Sequence, residues 1–257
     1  MNELVSVIMP SYNTAEFIEK SVKSVINQTY TNWELIIVDD CSQDNTEEIL
    51  KKYLADKRIR YYRNEANLGA AISRNRALKE AKGRWIAFLD SDDLWKREKL
   101  QKQIEFMEKN EYYFSYTNYV EIDENSKLTG TVVSGPEHIT RRRMYDYCWP
   151  GCLTVMYDRR KVGDIQITDI KKNNDYAMWL EVIKKTDCYL LCSTLSGYRR
   201  RQGSISNQSY LWLVYWHYAL FREEEGFGVC KSICLTMNNL FWGMYKKIRY
   251  VKRKRLV

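Results

Sequence analysis

The apolar residues of this chain recur with two different periods. Continuous runs, Val5 to Met9, Leu35 to Val38 and Trp85 to Leu89, have the form of strands covered on both faces, and Ile59 to Tyr62 adds a shorter one. Between them the spacing changes to three and four. Phe17, Val22, Val25 and Ile26 make one helical face, and Ile49, Leu50, Tyr53 and Leu54 make another. Asn13, with Glu16 three residues on, has the form of a capping box, and Asp44 stands where the second helix would be capped. Ile72 to Ala81 predicts a third helix with Gly83 as its stop signal, and Leu100 to Met107 a fourth. Continuous strands alternating with amphipathic helices predict an α/β fold, a mostly parallel central sheet flanked by helices.

After about residue 112 the pattern loosens. Tyr112 to Tyr119, Thr129 to Val133 and Tyr189 to Leu191 read as strands, and Tyr176 to Lys184 as a helix. From about Ser209 the chain reads as helical through Trp212, Val214, Tyr215 and Tyr218. The expected organisation is one domain over 1–206, with halves at about 1–120 and 121–206, and a helical extension over 207–257. A chain of 257 residues is long enough for one large α/β domain and an appendage.

Charge sharpens that division. Lys and Arg number 41 against 33 Asp and Glu, a net charge of +8. Glu225 is the last acidic residue, and eight Lys and Arg follow it, so the whole excess sits in residues 226–257. Interleaved with Trp, Tyr and Phe, those cations fit a helix lying on an anionic membrane surface, the contact expected for residues 226–257. A solvated basic tail is the plainer alternative. The same charges could meet nucleic acid, but nothing upstream has the form of a base-reading motif, and no nucleic-acid partner is expected. Met1-Asn2-Glu3 lacks the basic start of a signal peptide, and no run approaches the ~20 apolar residues of a membrane span. The expectation is a cytoplasmic protein, peripheral on the inner face of the cell membrane. Six of the seven cysteines form C-x-x-x-C pairs, a spacing zinc sites also use. Cys188 and Cys192 flank a strand pattern and Cys230 and Cys234 share a helical face, so reduced, buried thiols are expected instead.

The sharpest chemistry lies at Asp90-Ser91-Asp92-Asp93, where the Trp85 strand ends in three carboxylates. Such crowding costs repulsion unless a cation shares it. Hard oxygen ligands suit Mg²⁺ or Mn²⁺, ions that commonly bridge carboxylates to phosphates. The C-terminal edge of an open α/β sheet is where such ligands bind. Asp92 or Asp93 as the cap of a helix starting near Leu94 is the competing reading. Pro10-Ser11-Tyr12-Asn13, Asp39-Asp40-Cys41-Ser42 and Asn67-Leu68-Gly69, the last preceding Arg74-Asn75, fall at strand ends or helix starts on the same edge. The two histidines, His138 and His217, sit in no nucleophile pattern, and G-x-S-x-G and P-loop motifs are absent.

In this order and spacing, VSVIMPSYN (5–13), IIVDDCSQDNT (36–46), NLGAAISRN (67–75) and FLDSDD (88–93) resemble the family 2 inverting glycosyltransferases of GT-A (Rossmann-like) fold. The resemblance covers about residues 4 to 205. The character of the tail is similar to bacterial enzymes that build O-antigen, capsule or teichuronic-type chains. The first half of the domain would then bind the nucleotide and the second the acceptor. The resemblance implies that Tyr12 lies against the uracil of a UDP-sugar, that Asp40 accepts from its N3–H, and that Asp39 supports Asp40. Pro10, Asn13, Asn67 and Arg74 would complete the nucleotide site, with Asp90 and Ser91 at the ribose and metal region. Asp92, with Asp90, would hold Mn²⁺ or Mg²⁺ at the diphosphate. Asn174-Asp175-Tyr176 matches the family's acidic pair with Asn174 replacing the first acid, which makes Asp175 the expected base for the acceptor hydroxyl, although an N-cap at the same helix would look identical. The segment 198–206 resembles a loop that closes over the diphosphate. Arg201 stands where relatives often carry His, which leaves a phosphate contact and puts a third metal ligand in doubt. Trp149-Pro150-Gly151 reads either as an acceptor loop or as core. The acceptor would be a glycan or a lipid-linked glycan. Two other readings compete. Nucleotidyl transfer wants a Gly-rich, basic loop after the first strand, which this chain lacks. A catalytically silent membrane- or nucleic-acid-binding protein would work through its tail alone.

Overall fold

The computed structural model describes residues 3–170, 172–201 and 210–253. Residues 202–206 of the diphosphate loop, with Lys254 and Arg255 of the tail, lie outside them. Strand and helix alternate first: β1 (Val5–Ser11), α1 (Ile18–Ile26), β2 (Trp33–Asp39), α2 (Thr46–Lys51), β3 (Ile59–Arg63), α3 (Ala70–Glu80) and β4 (Trp85–Phe88). Then come β5 (Leu94–Trp95), α4 (Lys99–Asn110), β6 (Phe114–Ile122), β7 (Leu128–Val133), β8 (His138–Ile139) and α5 (Arg141–Asp146). The chain continues through β9 (Met156–Asp158), α6 (Arg159–Val162), α7 (Asn174–Ile183) and β10 (Cys188–Arg199). It ends with α8 (Tyr210–Ala219), a π-helical turn at Leu220–Glu224, α9 (Val229–Arg249) and β11 (Val251–Arg253).

One sheet runs in the order β11-β7-β6-β9-β4-β1-β2-β3. Parallel pairing joins β3, β2, β1 and β4, and also β6 to β10; the other pairings are antiparallel. The register explains the continuous apolar runs. Val7 is level with Leu35 and Ala87, and Ile8 with Ile36 and Phe88. Alternate residues therefore feed opposite faces. Val7, Leu35 and Ala87 join α1 and α4 through Val22, Val25 and Ile104. Ile8, Ile36 and Phe88 join α3 and α7 through Ala77, Leu78 and Trp179. With both faces covered, a polar residue mid-strand loses its water, so these strands are almost wholly apolar, and the exceptions, Ser6 and Glu34, bond each other at 2.6 Å.

Several local expectations change. Asn13 caps nothing: it sits at φ 49°, its amide donates to Ser42 Oγ at 2.9 Å, and its Oδ1 accepts from Gln43 N at 2.8 Å. Glu16 precedes α1, which begins at Ile18. Asp44 does serve the start of α2, accepting from Thr46 N at 3.1 Å. Gly83 is demanded by crowding and not by a left-handed turn, because a Cβ there would lie 2.6 Å from Ser6 N and 2.7 Å from Leu4 O. Asp92 and Asp93 cap no helix, because Leu94 and Trp95 pair with β10 and α4 begins at Lys99. All seven cysteines are free, but Cys192, Cys230 and Cys234 are exposed, so burial holds for only part of the set. Trp149 belongs to the core, 3% exposed and edge-on to Trp242 and Tyr250.

The C-terminal segment is docked on the domain. Asn239 of α9 donates to the Tyr176 hydroxyl at 3.1 Å, Lys246 donates to Trp149 O at 2.8 Å, and β11 extends the sheet beside β7. Burial pushes the Lys246 ammonium down to about 8. The outer face of α9 is apolar: Val229, Ile233, Met237, Phe241, Met244 and Ile248, spaced by three and four, are 49–85% exposed. Among the described residues no helix is long and apolar enough to cross a membrane.

Candidate active site

The parallel strands β1, β2 and β4 share a C-terminal edge, and each delivers one loop there. Pro10 is the next-to-last residue of β1, beyond the last β1–β4 pair at Ile8 and Phe88, where a missing N–H costs little ladder bonding. Tyr12 follows it with its ring 42% exposed.

The loop after β2 is held by its own acids. Asp39 is fully buried and accepts from Ser42 N at 3.2 Å, the Ser42 hydroxyl and the Tyr61 hydroxyl at 2.8 Å, with Arg63 at 3.5 Å. Asp40 binds across to the next loop. It accepts from Asn64 Nδ2 at 2.8 Å, Leu68 N at 2.9 Å and Gly69 N at 2.7 Å. Asp40 thereby sets the segment 64–69, on which Asn67 is exposed. Asn64 was not singled out from the sequence. Its place at the end of β3, on the same edge, was the signal for it.

The β4 loop carries the acids. Asp93 is 1% exposed and accepts from Arg199 N at 2.7 Å. Burial pushes its carboxyl well above the usual range, and repulsion from Asp92 and Asp90 adds to that. Burial likewise raises Asp92, helped by Asp90 and opposed by Arg201. Arg201 Nε lies 2.8 Å from Asp92 Oδ2. Among the described residues its N–H has no aligned acceptor, so the contact is an ion pair and not a directed hydrogen bond. Ser91 is turned inward, 3% exposed, its hydroxyl accepting from Thr14 Oγ1 at 3.0 Å. It braces the β1 and β4 loops together. Arg199, read from the sequence as part of the loop over the diphosphate, is instead the buried last residue of β10. Its buried side chain donates to Asp92 O at 2.6 Å and to Asp123 O and Glu124 O at 2.8 Å each. The β6–β7 turn is thus tied to the acidic loop.

Arg74, 6% exposed, joins this edge to the second half of the domain. Its Nη2 lies 2.6 Å from Asp90 Oδ1, and its Nη1 donates to Asn174 Oδ1. Asp175 follows in the first turn of α7. It is not the cap: the cap position is Asn173, and among the described residues Asp175 Oδ1 accepts from the adjacent Tyr176 N at 2.9 Å. Burial raises the Asp175 carboxyl above its ordinary value, Arg74 opposes that, and Asp90 adds to it. A carboxylate so placed holds a proton better than one in water and is a better base.

Asp90, Asp92, Arg74, Asp175 and Arg201 thus converge, with Tyr12, Asp40 and Asn67 along the same edge. Among the described residues no three His, Cys, Asp or Glu side chains form a metal cage. Asp92 and Asp90 could hold a divalent ion whose remaining ligands are a substrate's phosphate oxygens, a common way of binding Mg²⁺. The two acids offer hard oxygens and mutual repulsion that a cation would relieve, so the donor set fits such an ion.

Residues 6–162 match the sequence profile of Glycosyl transferase family 2. The putative teichuronic acid biosynthesis glycosyltransferase TuaG of Bacillus subtilis is 43% identical over 82% of this chain and 87% of its own length. The UDP-Glc:alpha-D-GlcNAc-diphosphoundecaprenol beta-1,3-glucosyltransferase WfgD of Escherichia coli is 44% identical over 80% of this chain and 81% of its own. Among solved structures, S. aureus TarS 1–349 superposes with a TM-score of 0.70 at 20% identity, over 95% of this chain and 73% of that one. The mannosyltransferase PcManGT of Pyrobaculum calidifontis, in complex with GDP-Man and Mn2+, reaches 0.65 at 14% identity, over 96% of this chain and 73% of that one. The fold is that of these glycosyltransferases.

Proposed function

The chain belongs to Glycosyl transferase family 2, and from that premise we propose that it is an inverting, metal-dependent enzyme that moves a sugar from a UDP-sugar to a lipid-linked glycan in bacterial surface polysaccharide synthesis. The observation that carries the mechanism is the Arg74 bridge, which holds Asp90 of the acidic loop and Asn174 beside Asp175 on one guanidinium. Donor acids and acceptor base are thereby kept at one place.

In this reading Tyr12 offers its exposed ring to the uracil. Asp40 keeps acceptor capacity for the uracil N3–H, since each carboxylate oxygen has two lone pairs. Asp39 and Asn13 contribute by holding that loop, Ser91 by bracing the β1 and β4 loops, and Pro10 by its place at the end of β1, while Asn67 lines the rim. Arg74 and Arg201 supply charge toward the diphosphate. Asp92 and Asp90 would hold Mn²⁺ or Mg²⁺, which when bound neutralises the departing diphosphate. Asp175 takes the proton of the acceptor hydroxyl as its oxygen attacks the anomeric carbon opposite the nucleotide. One displacement inverts that carbon, so an α-linked donor gives a β-linked product. Residues 1–120 would serve the donor and 121–206 the acceptor. The exposed apolar face of α9, with eight cations and no acid after Glu225, supports contact with an anionic membrane surface on the cytoplasmic side.

Calorimetric titration of UDP with and without Mn²⁺ tests the donor site. Binding strengthened by Mn²⁺, with that gain lost in Asp92→Ala, is expected. Absence of UDP binding under both conditions would overturn the reading.

A further inference from the structure

Helices α8 and α9 enclose an open groove of about 350 Å³ lined by Val214, Tyr215, Tyr218, Ile233, Thr236 and Met237. Its lining is mainly hydrocarbon and aromatic ring, and the Thr236 hydroxyl is spent on Ser232 O at 2.8 Å. The groove opens onto the exposed face of α9 at Ile233 and Met237 and continues toward Phe241, Met244 and Ile248. The same two helices brace the helix that bears Asp175. His217 of α8 packs its ring 6.3 Å from that of Tyr176, and Asn239 of α9 donates to the Tyr176 hydroxyl.

We propose that this groove seats the isoprenoid chain of a prenyl diphosphate-linked acceptor. The inference rests on the reading above that the acceptor is lipid-linked. A glycan or a peptide would leave its polar groups unpaired against such a lining, whereas a hydrocarbon chain loses nothing there. The charge pattern selects an anionic amphiphile. Lys247 stands on the exposed face of α9, ten residues and about 15 Å along the helix from Met237. Residues 210–257 carry nine Lys and Arg against three acids, Glu223, Glu224 and Glu225, and Glu225 is already paired with Lys184 at 3.0 Å. A second copy of the chain is disfavoured as occupant, because it would bring the same cations against these.

The test uses the full chain and farnesyl diphosphate, a soluble isoprenoid diphosphate, followed by calorimetry. Val214→Trp and Met237→Trp each fill the groove while keeping the face apolar, and Met237 is exposed enough to tolerate the change. Saturable binding to the wild type, weakened at least tenfold by both variants, is expected, with UDP affinity unchanged. Inorganic diphosphate should compete weakly. Binding that inorganic diphosphate abolishes at equal concentration, or that neither variant alters, would overturn the proposal. Wild type that binds anionic vesicles but not farnesyl diphosphate would remove the groove proposal and leave the lipid-linked reading standing. Failure of both would remove both. Sedimentation showing a dimer that both variants dissolve, without farnesyl diphosphate binding, would make the groove a contact between copies.

Discussion

Arg74 pairs with Asp90 at 2.6 Å, and the same guanidinium donates to Asn174, one hundred residues further along the chain. Arg74→Gln should therefore act twice. Losing a buried partner costs about 1–3 kcal/mol of stability. Losing the cation that opposes the raised Asp175 carboxyl should move the acidic limb of kcat/KM to higher pH. A pH–rate profile that does not move would show that Arg74 has no electrostatic hold on Asp175.

Asp175→Asn should bind UDP as the wild type does and lose transfer by about 10²–10⁴-fold, the usual worth of a positioned base. The base works deprotonated. With its carboxyl raised by burial, wild-type activity should climb with pH through a midpoint above the ~3.9 of a free aspartate. Retained transfer in the variant would assign the base elsewhere.

Asp93 should limit stability at neutral pH. Its carboxyl is raised in the folded state, by burial first and then by Asp92 and Asp90, so the folded protein holds that proton more tightly than the unfolded chain does. Stability contributed by the protonated form is fully present below the unfolded pKa and lost as pH rises through the folded one. Asp93→Asn, measured in chelator, should raise Tm by about 2–4 °C per kcal/mol recovered at pH 7. The difference should vanish in acid. An equal or lower Tm at pH 7 would mean that the Arg199 contact at 2.7 Å outweighs the repulsion.

Phe241→Asp and Met244→Asp, at positions 57% and 56% exposed, should leave folding within about 0.5 kcal/mol. They should lower affinity for anionic vesicles at least tenfold while UDP binding stays constant. Point changes are the cleaner test than truncation at 226. That cut would remove the Asn239 bond to Tyr176, the Lys246 bond to Trp149 and the β11–β7 pairing. Vesicle binding unaffected by both substitutions would rule this face out as the membrane contact.

The largely apolar runs of β1, β2 and β4 were readable from the chain because each is a local consequence of burial on both faces. So was the clustering of Tyr12, Asp40 and Asp92, since parallel strands place their C-terminal ends on one edge. Local pattern failed where the partner was remote. Asn13 looked like a cap until Ser42 and Gln43 met it, and the residues after Asp93 looked helical until Leu94 and Trp95 paired with β10. The Arg74–Asn174 bridge, the Arg199 tie to the β6–β7 turn and the docking of α9 behind Tyr176 depend on which surfaces meet after the chain has turned many times. The sequence by itself determined the alternation of β1–β4 with α1–α4 and the edge on which the acids gather, because those follow from spacing over a few residues. Only the tertiary structure decided which of those acids are spent on the fold, which face the cleft and which apolar face stays uncovered, because each is settled by contacts between residues far apart in sequence.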